Sequence, residues 1–413
     1  MKRASIVLAL LLLPLTCRLP DAGAQPVVTP CVRPVPVPAP QQPARPASET
    51  SLHELATGSG VKVAVIDTGV APHAELPGLL PIADLVARET PDPLLDCDGH
   101  GTIVAGVIAG QTLGVAPDAQ ILSVRQTSTH VAVENADAPE DRSGGTLASL
   151  AEAVHLALDQ GAQVINISVV ACVDPDTAIR LNSGVLDDAL ARAEAQQTVV
   201  VAAAGNISPE CQPGSVVYPS HSPTVLSVGG RENTHTIAEY SLPEPEGRPA
   251  VSAPASVPVA LSPDANGWVS GVQPETGEAR EFHGTSFAAP VVSGTAALLR
   301  QRHPDYSAAE IRAQILASAE PSGGAVDPLT ALTYVPPADT EITPRHLAFA
   351  SPPPAGQEIR ARLASLLAGL SLVAVAGLAV AGVSRPVRTS SSRAGSPARG
   401  SGGRALPGPR SPR

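Results

Sequence analysis

Four polar residues of this 413-residue chain stand in surroundings suited to chemistry: Asp67 in "VAVIDTGV", His100 in "DCDGHGTIVAG", Asn206 in "VAAAGN" and Ser286 in "HGTSFAAPVVSG". A serine hydroxyl is a poor nucleophile until an imidazole takes its proton as it attacks. The imidazole needs a buried carboxylate to fix its tautomer and to stabilise its positive charge. The attacked carbonyl becomes an oxyanion, which needs donors aimed at it in a dry site. An asparagine amide and the backbone N–H of a serine at a helix start are such donors. Taken singly, each residue has a plainer reading: Asp67 as a turn former, His100 as an exposed helix-start residue, Asn206 as an αL turn residue and Ser286 as an N-cap. All four together, each at the border of an apolar element, favour the chemical reading.

The elements that must position them are legible as alternating runs. "VKVAVID", "AQILSVRQ", "AQVINIS", "TVVVAAAGN" and "TVLSVGG" are continuous, β-branched and bounded by Gly, Asp or Asn. They predict strands buried on both faces. Between them "GTIVAGVIAG", "GGTLASLAEAVHLALDQG" and "NSGVLDDALARAEAQQ" have helical spacing and glycine stops. Strand–helix alternation implies an α/β fold in three layers around a mainly parallel sheet. Active groups in such sheets sit at the carboxyl ends of strands. Asp67 closes "VAVID" and Asn206 follows "VVVAAAG", while His100 and Ser286 each begin a helix amid small residues.

The formal net charge is −11, and the seven arginines after Ser384, with no acid among them, leave the rest of the chain near −18. An acidic body with few aromatic residues excludes a nucleic-acid partner and offers no platform for stacking sugars or bases. Residues 1–24 have the form of an export signal: Lys2 and Arg3, an apolar core, then Ala22-Gly23-Ala24 before Gln25. Its apolar run is too short to span a bilayer comfortably, and Thr16 before Cys17 is bulkier than lipoprotein sites usually tolerate. Residues 25–47 are proline-rich and expected to be extended. The globular body is expected over 48–336, followed by a linker over 337–362. Leu363–Val383 is an uncharged apolar run of about the 20 residues a membrane helix needs. The basic, low-complexity tail 384–413 should stay on the cytoplasmic side, leaving the body outside. Cys31, Cys97, Cys172 and Cys211 remain after signal removal. An even number in an exported protein favours two disulfides out of three possible pairings. Cys31–Cys97 and Cys172–Cys211 are favoured: the first staples the arm to the body, the second joins loops after neighbouring strands. No Cys-x-x-Cys pair is present, so a metal site built from Asp96, Cys97, Asp98 and His100 is not expected.

"VIDTGV", "GHGTIVAG", "AAAGN" and "GTSFAAPVVSG" resemble the four signature blocks of subtilisin-like serine proteases, over roughly residues 60–320, and "GVAPDAQILSVRQ" resembles their Gly-Val-Ala-Pro strand entry. The resemblance implies the subtilisin-like fold, Asp67, His100 and Ser286 as catalytic triad, and Asn206 as oxyanion donor, with no metal or cofactor. The signal, the Pro-rich arm, "DCDGHGT", "RQTS", "INISVVACV" and the C-terminal apolar helix with its basic tail are together similar to the mycosins. These are membrane-anchored proteases of actinobacterial type VII secretion systems. That resemblance implies protein or peptide substrates, a place at the secretion membrane complex and a single-pass anchor. A scaffold that holds the complex together and a free-standing surface protease are the rival functions. Three departures stand out. "INISVVAC" lacks the glycines that many subtilisin-like enzymes carry after the serine; Ser168 and Val169 fall there, and these bulkier residues are expected to narrow the pocket. A foldable prodomain of the usual size is missing, and the arm is expected to wrap the body instead. "THVAVENADAPEDRSGG" (Thr129–Gly145) reads equally as an acidic insertion over the cleft and as a solvated loop. His73, His130, His155, His221, His235 and His303 read as surface or packing residues. His283 lies closer to Ser286 in the chain, but the "GHGT" context makes His100 the better base.

Overall fold

The computed structural model describes residues 27–28, 30–40, 47–132, 145–243, 248–336 and 362–371. The expected signal 1–24, residues 133–144 of the acidic insertion, most of the linker, the 372–383 part of the apolar run and the tail 384–413 lie outside the described residues. Residues 362–371 are helical and exposed and belong to a separate unit, Ala350–Arg413. Among the described residues no helix is long and apolar enough to cross a membrane.

The body is built on seven parallel strands: β1 (Lys62–Asp67), β2 (Leu79–Asp84), β3 (Gln120–Arg125), β4 (Val164–Ile167), β5 (Val199–Ala203), β6 (Val225–Asn233) and β7 (Ala250–Pro254). They lie in the order β7–β6–β5–β4–β1–β3–β2, and Thr236–Ile237 adds a short antiparallel eighth strand against β6. The strand logic is plainest in β1, where every residue from Val63 to Asp67 is buried. Val63 and Val65 point into one apolar cluster, Ala64 and Ile66 into the other, as the period of two requires. Helices α1 (His100–Ala109) and α4 (Thr285–Arg302) cover the first face. Helices α2 (Leu147–Asp159) and α3 (Gly184–Ala195) cover the second. The three-layer α/β fold with a mainly parallel sheet is therefore as expected. The five expected strands are all present; β2 and β7 escaped notice because they occupy the sheet edges. β2 is half exposed and carries Pro81, which an edge position tolerates.

The chain runs from β1 out to β2, back through β3, and then across to β4 on the other side of β1. The strand order therefore reverses at β1, the position in open α/β sheets where a crevice opens at the carboxyl ends. Helix α1 must come very close to that point. A methyl group on Gly101 would lie 2.0 Å from the Gly69 carbonyl oxygen and 3.2 Å from Asp67 Cβ, so only hydrogen fits.

The proline-rich arm is extended and also paired. Arg33–Val37 runs antiparallel to Trp268–Gln273 as part of a second sheet, and Val27–Val28 pairs with Val131–Ala132. Both favoured disulfides are formed, Cys31–Cys97 and Cys172–Cys211. Val32 N–H donates to the Cys97 carbonyl at 3.0 Å, which holds the arm against the turn before α1.

Gly101→Ala is expected to lower stability by about 1–3 kcal/mol through this overpacking. An unobstructed helical glycine would instead gain about 0.5–1 kcal/mol from the same change. The urea midpoint of the two proteins gives the sign.

Candidate active site

Asp67 is the last residue of β1 and is wholly buried. Its Oδ1 accepts from Thr68 N–H at 2.8 Å and from His100 Nδ1 at 2.7 Å. Its Oδ2 is buried with no hydrogen-bond partner among the described residues. His100 opens α1 behind Gly99, whose φ of 72° is left-handed, and its side chain is 25% exposed. An ionised carboxylate can only accept, so the imidazole proton sits on Nδ1 and Nε2 carries the free lone pair. Burial disfavours charge on His100, but the Asp67 charge and hydrogen bond, backed by Asp96 and Asp98, outweigh it and raise its pKa above 6.5. The His100 ring lies against Phe287, centroids 5.2 Å apart, and Phe287 directly follows Ser286 in the chain.

Ser286 is the second residue of α4 and is half-buried. Its hydroxyl donates to the Ser168 carbonyl at 2.9 Å. In return Ser168 Oγ donates to the Ser286 carbonyl at 2.8 Å. Proline explains why that carbonyl is available. The helical partner of Ser286 C=O would be the N–H four residues on, and that residue is Pro290, which has none. Ser168 Oγ is held by Asn166 Nδ2 at 2.9 Å, and Asn166 Oδ1 by Ser293 Oγ at 2.8 Å. A buried polar chain thus ties the end of β4 to the first turns of α4.

Asn206 sits just past β5. Its Oδ1 accepts from Thr285 N–H at 3.0 Å and Thr285 Oγ1 at 3.1 Å, so its amide nitrogen points away from them. Asn206 Nδ2 makes no hydrogen bond among the described residues. A methyl on Gly284, at φ 147°, would lie 3.1 Å from it.

All four residues expected to act are therefore at the carboxyl edge of the sheet. The structure joins Asp67 to His100 directly and joins Asn206 to the residue before Ser286. It does not join His100 to Ser286 by a hydrogen bond, because the Ser286 hydroxyl is turned to Ser168. Val169, expected with Ser168 to narrow the pocket, is half-buried and packs against an apolar cluster, as does its neighbour Val170. Sequence reasoning passed over Thr68, Asn166 and Thr285, and weighed Asp96 only as a metal ligand. The spacing in "DTG", "NIS" and "GTS" was the available signal, but nothing in a linear pattern says which hydroxyl meets which acceptor.

The fold and the polar residues at its carboxyl edge fit the subtilisin-like serine endopeptidases, and the chain is an enzyme of that class. It belongs to the subtilase family, whose model matches residues 58–343, and its relatives include mycosins. Mycosin-1 of Mycobacterium tuberculosis is 40% identical over 309 residues, covering 67% of each chain. Among solved structures, the MycP3 protease from the type VII (ESX-3) secretion system superposes with a TM-score of 0.66 at 32% identity. The match covers 74% of this chain and 93% of that one. A chain of the intact ESX-5 inner membrane complex superposes with a TM-score of 0.67 at 29% identity, covering 87% of this chain and 95% of that one.

Ser168→Ala is expected to cost about 1–3 kcal/mol, because it strips the Ser286 carbonyl of a donor that Pro290 cannot replace. Pro290→Ala, which restores an N–H to the helix, should cost less in the Ser168→Ala protein than in the wild type. A double-mutant cycle by urea unfolding reads that coupling.

Proposed function

We propose that this chain is a serine endopeptidase in which His100 Nε2 takes the proton from Ser286 Oγ as that oxygen attacks a peptide carbonyl. Asp67 fixes the tautomer that leaves Nε2 unprotonated and stabilises the imidazolium that forms. Asn206 Nδ2 and the Ser286 N–H bind the oxyanion. Water then releases the acyl-enzyme, with His100 again as base. The observation that carries these assignments is the 2.7 Å contact between His100 Nδ1 and Asp67 Oδ1, made beside the first turn of α4, which holds Ser286. To meet the imidazole, the Ser286 hydroxyl must first leave the Ser168 carbonyl.

The body faces the extracytoplasmic side of the cell membrane, held by a single span over 363–383 with residues 384–413 in the cytoplasm. The uncharged run and the arginine tail support this orientation, and two disulfides in the body fit an oxidising compartment. The likeness to a chain of the ESX-5 inner membrane complex supports association with a type VII secretion membrane complex, and membership of the subtilase family supports protein or peptide substrates. The same likeness favours a second role, stabilising that complex. Ser286→Ala separates the two: lost cleavage with secretion intact assigns the secretion phenotype to scaffolding.

A fluorophosphonate probe is expected to label the wild type and not Ser286→Ala; equal labelling overturns the assignment. A general base must be neutral, and the His100 pKa is raised, so the labelling rate should climb with pH through a midpoint above 6.5. Asn206→Ala should lower peptidase kcat by about 10²–10³-fold, and Asp67→Asn by about 10⁴-fold.

A further inference from the structure

Asp96 lies four residues before His100, is buried, and is not among the residues that the proposed mechanism uses. Its carboxylate is fully engaged. Oδ1 accepts from Thr68 Oγ1 at 2.8 Å and Gly99 N–H at 2.9 Å. Oδ2 accepts from Thr102 N–H at 2.8 Å and Thr102 Oγ1 at 2.6 Å. The donors flank His100 on both sides, so one carboxylate closes the turn that presents the imidazole. The Gly99 N–H, just before the histidine, and the Thr102 N–H, two residues after it, converge on a single negative charge at the start of α1, where the helix dipole favours it.

The contact with Thr68 reaches further. Thr68 Oγ1 has one proton and accepts one from Gly101 N–H at 3.0 Å. Two carboxylate oxygens compete for that proton, Asp96 Oδ1 at 2.8 Å and Asp67 Oδ1 at 3.2 Å. The shorter contact is to Asp96. While Asp96 holds the Thr68 proton, Asp67 Oδ1 keeps its lone pairs for Thr68 N–H and His100 Nδ1–H. Were Asp96 absent, the hydroxyl would turn to Asp67 Oδ1 and compete there with the imidazole.

We propose that Asp96 is a positioning residue for the His100–Asp67 pair, acting through Thr68 Oγ1 and through the turn 96–102. It touches no reacting atom. It holds the threonine hydroxyl off Asp67 and so leaves the full negative charge of Asp67 to the imidazole. The charged groups around His100 are Asp67 at the end of β1 and Asp96 and Asp98 on the turn before α1; all three favour the imidazolium. Burial pushes the Asp96 carboxyl up to about 6 against the pull of its Thr102 and Thr68 hydrogen bonds. Above that pH it is the ionised, four-donor species just described.

This inference rests on the proposed role of His100, and the test separates the two. The second-order rate of phosphonylation by a fluorophosphonate probe is measured against pH on the full chain in detergent, for the wild type, Asp96→Asn, Thr68→Val and Thr68→Ser. Asp96→Asn should slow the reaction roughly tenfold to a hundredfold and move the acid limb to lower pH, because the imidazole loses both a nearby charge and part of its hold on Asp67. Thr68→Val, which keeps the shape but takes the hydroxyl from both Asp96 Oδ1 and Gly101 N–H, should slow the reaction by loosening the turn 96–102, while Thr68→Ser keeps the wild-type rate. A role confined to holding the fold lowers the rate at every pH without moving the limb. If Asp96→Asn does not fold, the Thr68 pair carries the test alone. Wild-type rates and limbs in Asp96→Asn, or in Thr68→Val, overturn the inference with the proposed function untouched. A wild type that reacts without any acid limb overturns both.

Discussion

The site depends on how near α1 can approach the end of β1. His100 reaches Asp67 Oδ1 at 2.7 Å only because the next residue, Gly101, has no side chain to strike the Gly69 carbonyl. Two glycines on facing backbones set this distance, and everything polar around it is arranged to hold it. A larger residue at position 101 would trade a hydrogen bond to a buried charge for steric overlap, and that bond is of the stronger kind.

The second joint is of another type. Between β4 and α4 the contact is made by hydroxyls and an amide. Pro290 opens a gap in the helical ladder, and Ser168 fills it from the neighbouring strand. A proline inside a helix normally costs a hydrogen bond and bends the axis. Here the freed carbonyl is satisfied by the strand that precedes Val169 and Val170, so the first turn of α4 is registered against the sheet. The resting Ser286 hydroxyl lies on the same strand, and the serine side chain and its backbone are thus bound to one residue.

Much of this could be read from the chain beforehand. The β-branched runs gave all the inner strands, since strands buried on both faces admit few other residues. The four polar residues were visible because each interrupts an apolar run at its end. The edge strands were not, because β2 is half exposed and carries a proline, and the composition of an edge resembles that of a loop. The supporting hydroxyls were illegible for a different reason. Thr68, Asn166, Thr285 and Asp96 matter through partners 28 to 127 residues away, and no local pattern encodes that. The proline-rich arm was correctly expected to be extended, but its prolines gave no hint that it would enter a sheet.

The linkage of Cys31 to Cys97 has a topological result. The segment between them contains the arm strand Arg33–Val37, a helix over Ala47–Leu55, and β1 with Asp67. A peptide bond broken anywhere inside that 66-residue span leaves two polypeptides that still travel as one particle. A cut between the arm and the body therefore does not release the piece that is held against the turn before α1.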